Sequence, residues 1–332
     1  MKLLQSIKIP YFKTSQGLVF EHLSLWYEVF GKPLHTAPLV VVNHALTGNS
    51  TVTGEKGWWK ELIGTGKTIN TDHFTVIAFN IPGNGYDGTT TNFIHEYQRV
   101  TVRDIAQLFW LGLNELNIQQ VHTIIGGSLG GAIAWEMAVL EPHRTEHLIP
   151  IATDWKATDW LIANVKIQEL LLQDTTNPIE KARAHAMLLY RTPESLNQRF
   201  QRKKQEQEVF AIESWLDYHG NQLNNRFSLE AYRLMNHLLK TMDLIENRGT
   251  FSEVIQPVTA TIHLVAVNTD YFFPATENIK TFASLQSLGI PSSYYEIQSI
   301  HGHDAFLIEF EQLSAFLNPI FNTTKTQHYV TL

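Results

Sequence analysis

Gly126-Gly127-Ser128-Leu129-Gly130-Gly131 stands between the apolar run VHTII at 121–125 and the longer run AIAWEMAVL at 132–140. The first run reads as a strand and the second as a helix. Gly126, Ser128 and Gly130 between them satisfy the pattern G-x-S-x-G. That pattern sets a serine on a sharp, strained strand-to-helix turn, with its Oγ lifted at the carboxyl edge of a sheet. Small neighbours let the chain pass close on either side, and the following helix turns its N-terminus, which favours negative charge, toward the hydroxyl. The plain alternatives are a glycine-rich turn or a phosphate-binding loop. The dinucleotide fingerprint G-x-G-x-x-G is not met, because Ser128 holds the place of its second glycine.

Outward from this turn, other strand-length apolar runs appear: PLVVVN at 38–43 and FTVIAFN at 74–80 upstream, TIHLVAV at 261–267 and SSYYEIQ at 292–298 downstream. Runs of this kind suit parallel strands covered on both faces. LVFEHLSLWYEVF at 18–30 alternates instead, as a half-buried antiparallel strand does. Residues 101–116 carry apolar positions at Ile105, Leu108, Phe109, Leu111 and Leu113, a helical rhythm, and further helices are expected at about 274–288 and 304–317. From about 159 to 246 the helical period continues without a strand. Asn177-Pro178 and Thr192-Pro193 read as N-caps followed by proline at the first helical position, and Gly220 and Gly249 punctuate the segment. The expected layout is an α/β-hydrolase fold: a mostly parallel central sheet in two sequence pieces, 1–154 and 255–332, with an inserted helical lid at 155–254.

In this fold the partners of the serine follow in the order acid, then histidine. Asp270 stands just past the late strand 261–267, and the loop after 292–298 offers both His301 and His303. An imidazole near pKa 6.5 can take the Ser128 proton and return it, while the carboxylate holds the ring's tautomer. An oxyanion hole needs two backbone N–H donors. Leu129 supplies one, and the loop at 43–48 after the early strand supplies the other, at Leu46.

The whole chain of 332 residues is ordinary for a globular protein, with 44% hydrophobic and 17% charged residues. It has no cysteine, which excludes disulfides, thiolate metal sites and a cysteine nucleophile and fits a reducing, cytoplasmic setting. A formal charge of −7 argues against nucleic acid as a partner. No run reaches the roughly 18 apolar residues of a membrane span, and the N-terminus MKLLQSIKIPYF lacks a secretory pattern. No metal constellation stands out along the sequence, and residues 323–332 read as an exposed tail.

NHALTGNS at 43–50, GWW at 57–59, LIGTGKTINTDHFTVIAFN at 62–80, GGSLGG at 126–131, ARAHAMLLYR at 182–191, ESWLDYHG at 213–220, TDYFFPATE at 269–277 and GHDAFL at 302–307 occur in this order along nearly the whole chain. In them the chain resembles the homoserine O-acetyltransferases. The resemblance implies that His303 is the base, and that acetyl-CoA is the acyl donor with no permanently bound cofactor. It further implies a ping-pong transfer through acetyl-Ser128 to L-homoserine, in methionine biosynthesis. It also implies that Arg183 pairs the homoserine carboxylate, that Tyr190, two helical turns on, lines the same site, and that Asp304 pairs the ammonium. The family is similar in dimerising through its lid, and the apolar content of the insertion permits a homodimer. The sequence departs from the family at Leu129, where methionine is common, in shorter loops after Asp87 and Asp154, and in SLEAYRLMNHLLKTMD at 228–243. These departures leave open another donor or acceptor, such as succinyl-CoA or serine, and simple ester or thioester hydrolysis. A non-catalytic binding module would lack a triad member, whereas all three are present in order.

Overall fold

The computed structural model describes residues 4–205 and 208–322, so the tail expected at 323–332 lies outside the described residues. Eight strands form the main sheet: β1 (Gln5–Lys13), β2 (Val19–Gly31), β3 (Leu39–Asn43), β6 (Thr75–Phe79), β7 (Val121–Gly127), β8 (Thr145–Ile151), β9 (Thr261–Val267) and β10 (Ser292–Ile297). A small second sheet joins β4 (Ile63–Gly64) to β5 (Ile69–Asn70). The order across the main sheet is β1-β2-β6-β3-β7-β8-β9-β10. Only the β1/β2 and β2/β6 pairs are antiparallel; every other pair is parallel. The expected mostly parallel sheet is therefore present.

Alternation within the central strands explains their unbroken apolar character. In β3, Leu39 and Val41 join one core while Val40 and Val42 join another on the opposite face. In β6, Ile77 and Phe79 face the first core, Val76 and Ala78 the second. Helices α1 (Val102–Glu115), α2 (Leu129–Leu140) and α9 (Ala275–Ser287) contribute to the first core, and α10 (Phe310–Phe321) to the second. The start of α1 is fixed by a capping box between Thr101 and Asp104. The other Asp104 oxygen accepts from Ser15 N at 2.7 Å, which ties the β1–β2 hairpin to the helix. Of the apolar positions expected to face inward on α1, Leu111 instead lies on the exposed side.

Between β8 and β9 come α3 (Asp159–Leu171), α4 (Pro178–Tyr190), α5 (Pro193–Phe200), α6 (Ala211–Asn224), α7 (Leu229–Lys240) and α8 (Phe251–Ile255), with no strand among the described residues. Thr192 caps α5 by accepting from Ser195 N, whereas Asn177 precedes α4 in a left-handed conformation without a side-chain cap. Gly220 does not end a helix. It lies inside α6 where a Cβ would come within 3.1 Å of Glu180 Cα, so it is the close-packing point of α6 on α4. The last helix starts later than the sequence suggests: Gly302–Leu307 is a 3-10 turn, and α10 begins at Phe310. No helix among the described residues is long and apolar enough to cross a membrane.

Candidate active site

Ser128 joins β7 to α2 with φ 56° and ψ −126°, a conformation that costs a non-glycine residue about 1–3 kcal/mol and persists only where its surroundings enforce it. Three glycines make those surroundings fit. A Cβ on Gly126 would lie 2.3 Å from the Gly130 backbone, one on Gly130 would lie 2.2 Å from Asn43 O, and one on Gly131 would lie 2.3 Å from Thr153 Cγ2. Gly130 is thus the floor on which the loop after β3 rests. The Gly130→Ala variant is expected to push that loop off α2, with a loss of roughly 1–3 kcal/mol in thermal unfolding and at least a tenfold fall in turnover. Retention of both would show that the loop can yield.

That loop is held from its other side by a buried polar network. Ser50 N donates to Asn80 Oδ1 at 3.0 Å, and Ser50 Oγ donates to Glu28 Oε2 at 2.5 Å. His44 Nε2 accepts from Ile81 N at 3.0 Å, so its Nδ1 carries the proton and donates to Ala45 O at 2.8 Å. Burial pushes the His44 pKa down to about 4, and this imidazole stays a neutral strut. Leu46 N–H makes no hydrogen bond to another described residue. Leu129 is the first residue of α2, where an N–H falls outside the helical ladder. Both of these N–H groups are thus without a partner among the described residues.

Asp270 and His303 meet. Asp270 Oδ2 accepts from His303 Nδ1 at 2.7 Å, and both side chains are buried. Asp270 Oδ1 accepts from Phe272 N at 2.7 Å and Phe273 N at 2.9 Å. With Nδ1 committed, Nε2 of His303 is the nitrogen free for proton transfer. His301, the other histidine of this loop, goes elsewhere: its Nδ1 lies 2.9 Å from Ser195 Oγ and 3.3 Å from Arg191 Nη1. Tyr190, Phe272, Phe273 and Phe306 surround the His303 ring with centroids 5.1–5.6 Å away. Phe306 also packs against Gly127, where a Cβ would lie 2.5 Å from its ring. Ser128 follows β7, Asp270 follows β9 and His303 follows β10, so all three lie past the carboxyl ends of parallel strands in one sheet.

Residues of α4 approach the same place. Arg183, half-buried on α4, makes no ion pair or hydrogen bond among the described residues and sits with its guanidinium carbon 5.4 Å from the Tyr190 ring centre. Burial pushes the Tyr190 hydroxyl up to about 12, Arg183 acting against the shift and Asp304 adding to it. Asp304 Oδ2 accepts from Arg191 Nε at 2.9 Å, while its Oδ1 accepts no hydrogen bond from a described residue. Asp304 does not cap α10, which begins six residues later.

Sequence reasoning missed Arg191, and also Arg226, whose Nη1 donates to Thr47 O at 2.9 Å in the loop after β3. Arg191 ends the quoted stretch ARAHAMLLYR, but nothing in its spacing points to a carboxylate 113 residues on. Asp154, raised to about 6 by burial, is a second buried acid past the sheet edge. Its Oδ1 accepts from Trp155 N and Thr281 Oγ1 rather than from a histidine.

Residues 38–309 match a family model described as alpha/beta hydrolase fold. A homoserine O-acetyltransferase of Cyclobacterium marinum is 30% identical over 304 residues, covering 85% of this chain and 84% of that protein. Among solved structures, esterase E22 superposes with a TM-score of 0.86 at 17% identity, over 97% of this chain and 100% of that one. The homoserine O-acetyltransferase from Staphylococcus aureus superposes with a TM-score of 0.82 at 24% identity, over 99% and 98%.

Proposed function

The chain belongs to the homoserine O-acetyltransferase family of the α/β-hydrolase fold, and from that premise we propose that it moves an acetyl group from acetyl-CoA to the hydroxyl of L-homoserine, through acetyl-Ser128, in methionine biosynthesis. Ser128 Oγ attacks the thioester carbonyl while His303 Nε2 takes its proton. The N–H groups of Leu46 and Leu129 hold the developing oxyanion. His303 returns the proton to the departing CoA sulfur. It then removes the proton of the homoserine hydroxyl, which attacks the acetyl-serine, and passes that proton to the departing Ser128 Oγ, so that both Ser128 and the neutral imidazole are regenerated. Asp270 holds the His303 tautomer throughout. No permanently bound cofactor is needed, and the reaction is assigned to the cytoplasm.

The observation that carries the acceptor is the pair of open charges around Tyr190. Arg183 offers an unpaired guanidinium, and Asp304 offers an oxygen left free by its bond to Arg191. A zwitterion with its carboxylate on the first and its ammonium on the second has opposite charge at both ends, as an amino-acid acceptor does. Tyr190 lies against His303, which brings the acceptor toward the base. We read residues 155–254, which hold helices α3–α7 and all but the last residue of α8, as a lid over core pieces 1–154 and 255–332 that keeps water from the acyl-serine, and as the surface through which two copies pair.

The test is CoA release from acetyl-CoA or succinyl-CoA, each with and without homoserine or serine. Release from acetyl-CoA that depends on homoserine is expected. Release that ignores every amino acid would make the chain a thioesterase. The Arg183→Ala variant is expected to raise the homoserine KM by roughly 10- to 100-fold while Ser128 still acylates. Unchanged homoserine saturation would remove Arg183 from the acceptor site.

A further inference from the structure

At the opposite end of the sheet, the topology gathers side chains that the sequence leaves far apart. His122 lies near the start of β7, Glu146 and His147 near the start of β8, and His263 near the start of β9. One ring nitrogen of His122, one of His147 and one carboxylate oxygen of Glu146 all lie within 4.8 Å of one another. The imidazoles form a row across adjacent strands, with ring centres 5.1 Å apart between His122 and His147 and 5.3 Å apart between His147 and His263. We infer that His122, Glu146 and His147 form a binding site for a divalent transition metal, with Zn²⁺ as its best-matched ion.

The hydrogen bonds around the cluster orient it for this. His122 Nδ1 is engaged by Thr123 Oγ1 at 2.8 Å. His147 Nδ1 is engaged by His263 Nε2 at 3.1 Å, and His263 Nδ1 by Ser293 Oγ on β10 at 2.8 Å. Nε2 of His122 and of His147 makes no hydrogen bond to a described residue, and a ring that donates at Nδ1 turns its lone pair outward at Nε2, which is how metal-ligating histidines are held by an outer layer of partners. Glu146 is exposed and makes no hydrogen bond or ion pair to a described residue, so its carboxylate can swing to an ion. Two imidazoles and a carboxylate suit zinc, which takes such donors at about 2.0–2.2 Å and leaves a fourth position to water. Donors around a tetrahedral ion stand roughly 3.4 Å apart, so closing the cluster needs side-chain movements of about 1 Å. The site is separated from Ser128 by the length of a seven-residue strand, about 20 Å, and so acts on stability by joining β7 to β8 rather than on acyl transfer.

The test is titration of the untagged full chain with ZnCl₂ by calorimetry, alongside visible absorption with Co²⁺ as a reporter of four-coordination. One Zn²⁺ per chain is expected, with the unfolding midpoint raised by a few degrees under excess metal. Glu146→Gln, which alters only an exposed side chain, and His122→Gln are each expected to weaken binding at least tenfold. Ser293→Ala, acting through His263, is expected to weaken it roughly tenfold with acyl transfer unchanged. Absence of stoichiometric binding by the wild-type chain, or equal binding by Glu146→Gln and His122→Gln, would overturn the assignment.

Discussion

The Ser128→Ala enzyme is expected to gain no acetyl group when mixed with acetyl-CoA, and its turnover to fall on the order of 10⁵- to 10⁶-fold. The loss should be purely chemical. Alanine keeps the Cβ and the backbone at φ 56°, so the packing of Gly126, Gly130 and Gly131 around the turn is untouched. Ser128 Oγ makes no hydrogen bond to a described residue, so its removal leaves no buried partner unsatisfied, and the change in stability should stay within about 1 kcal/mol. Intact-protein mass spectrometry after mixing reads the adduct, and thermal unfolding reads the fold. An acetyl adduct on the variant, or turnover within tenfold of the wild type, would move the nucleophile to another residue. An unfolded variant would instead show that the hydroxyl has a structural partner.

Much of this arrangement is legible in the sequence, for a physical reason. The turn around Ser128 needs glycines wherever backbone meets backbone, and Gly126 and Gly130 therefore announce it. The acid and the base lie just past strands whose apolar runs are unbroken, so chain order alone brought Asp270 and the loop of His301 and His303 together; the carboxylate then meets His303. Two strands of the main sheet are not legible in the sequence. β1 is an edge strand, mostly exposed and interrupted by Pro10, a residue that edge positions tolerate because one side of the strand makes no ladder. β8 lies inside the sheet, yet it begins with Thr145, Glu146 and His147 and contains Pro150, so its composition denies its position. The same polar start places Glu146 and His147 beside His122, a grouping set by strand register and invisible to spacing. Gly220 misled because a glycine reads as a helix end, whereas here it makes room for Glu180 of a neighbouring helix. Arg191 was hidden likewise, since its carboxylate partner comes from the other piece of the core.

Asp270→Asn carries the second large expectation, a fall in turnover of about 10⁴-fold with the fold retained. The direction follows from the bonds that Asp270 makes. Its Oδ1 accepts two backbone N–H groups, from Phe272 and Phe273, and an amide can satisfy both only by presenting its own carbonyl oxygen there. The amide NH₂ is then forced into the place of Oδ2, 2.7 Å from His303 Nδ1. A donor now faces a nitrogen that donated before, so the neutral ring must accept at Nδ1 and carry its proton on Nε2. In that tautomer His303 has no lone pair toward Ser128 and cannot take its proton in acylation, nor that of the acceptor hydroxyl in transfer. The substitution also removes the charge that stabilises the imidazolium. Both half-reactions should slow together, leaving KM for homoserine little changed because Arg183 and Asp304 are untouched. Nitrogen-15 spectra of the imidazole should show the proton moved from Nδ1 to Nε2. A variant that keeps the wild-type tautomer and turns over within tenfold would mean that another carboxylate orients the base.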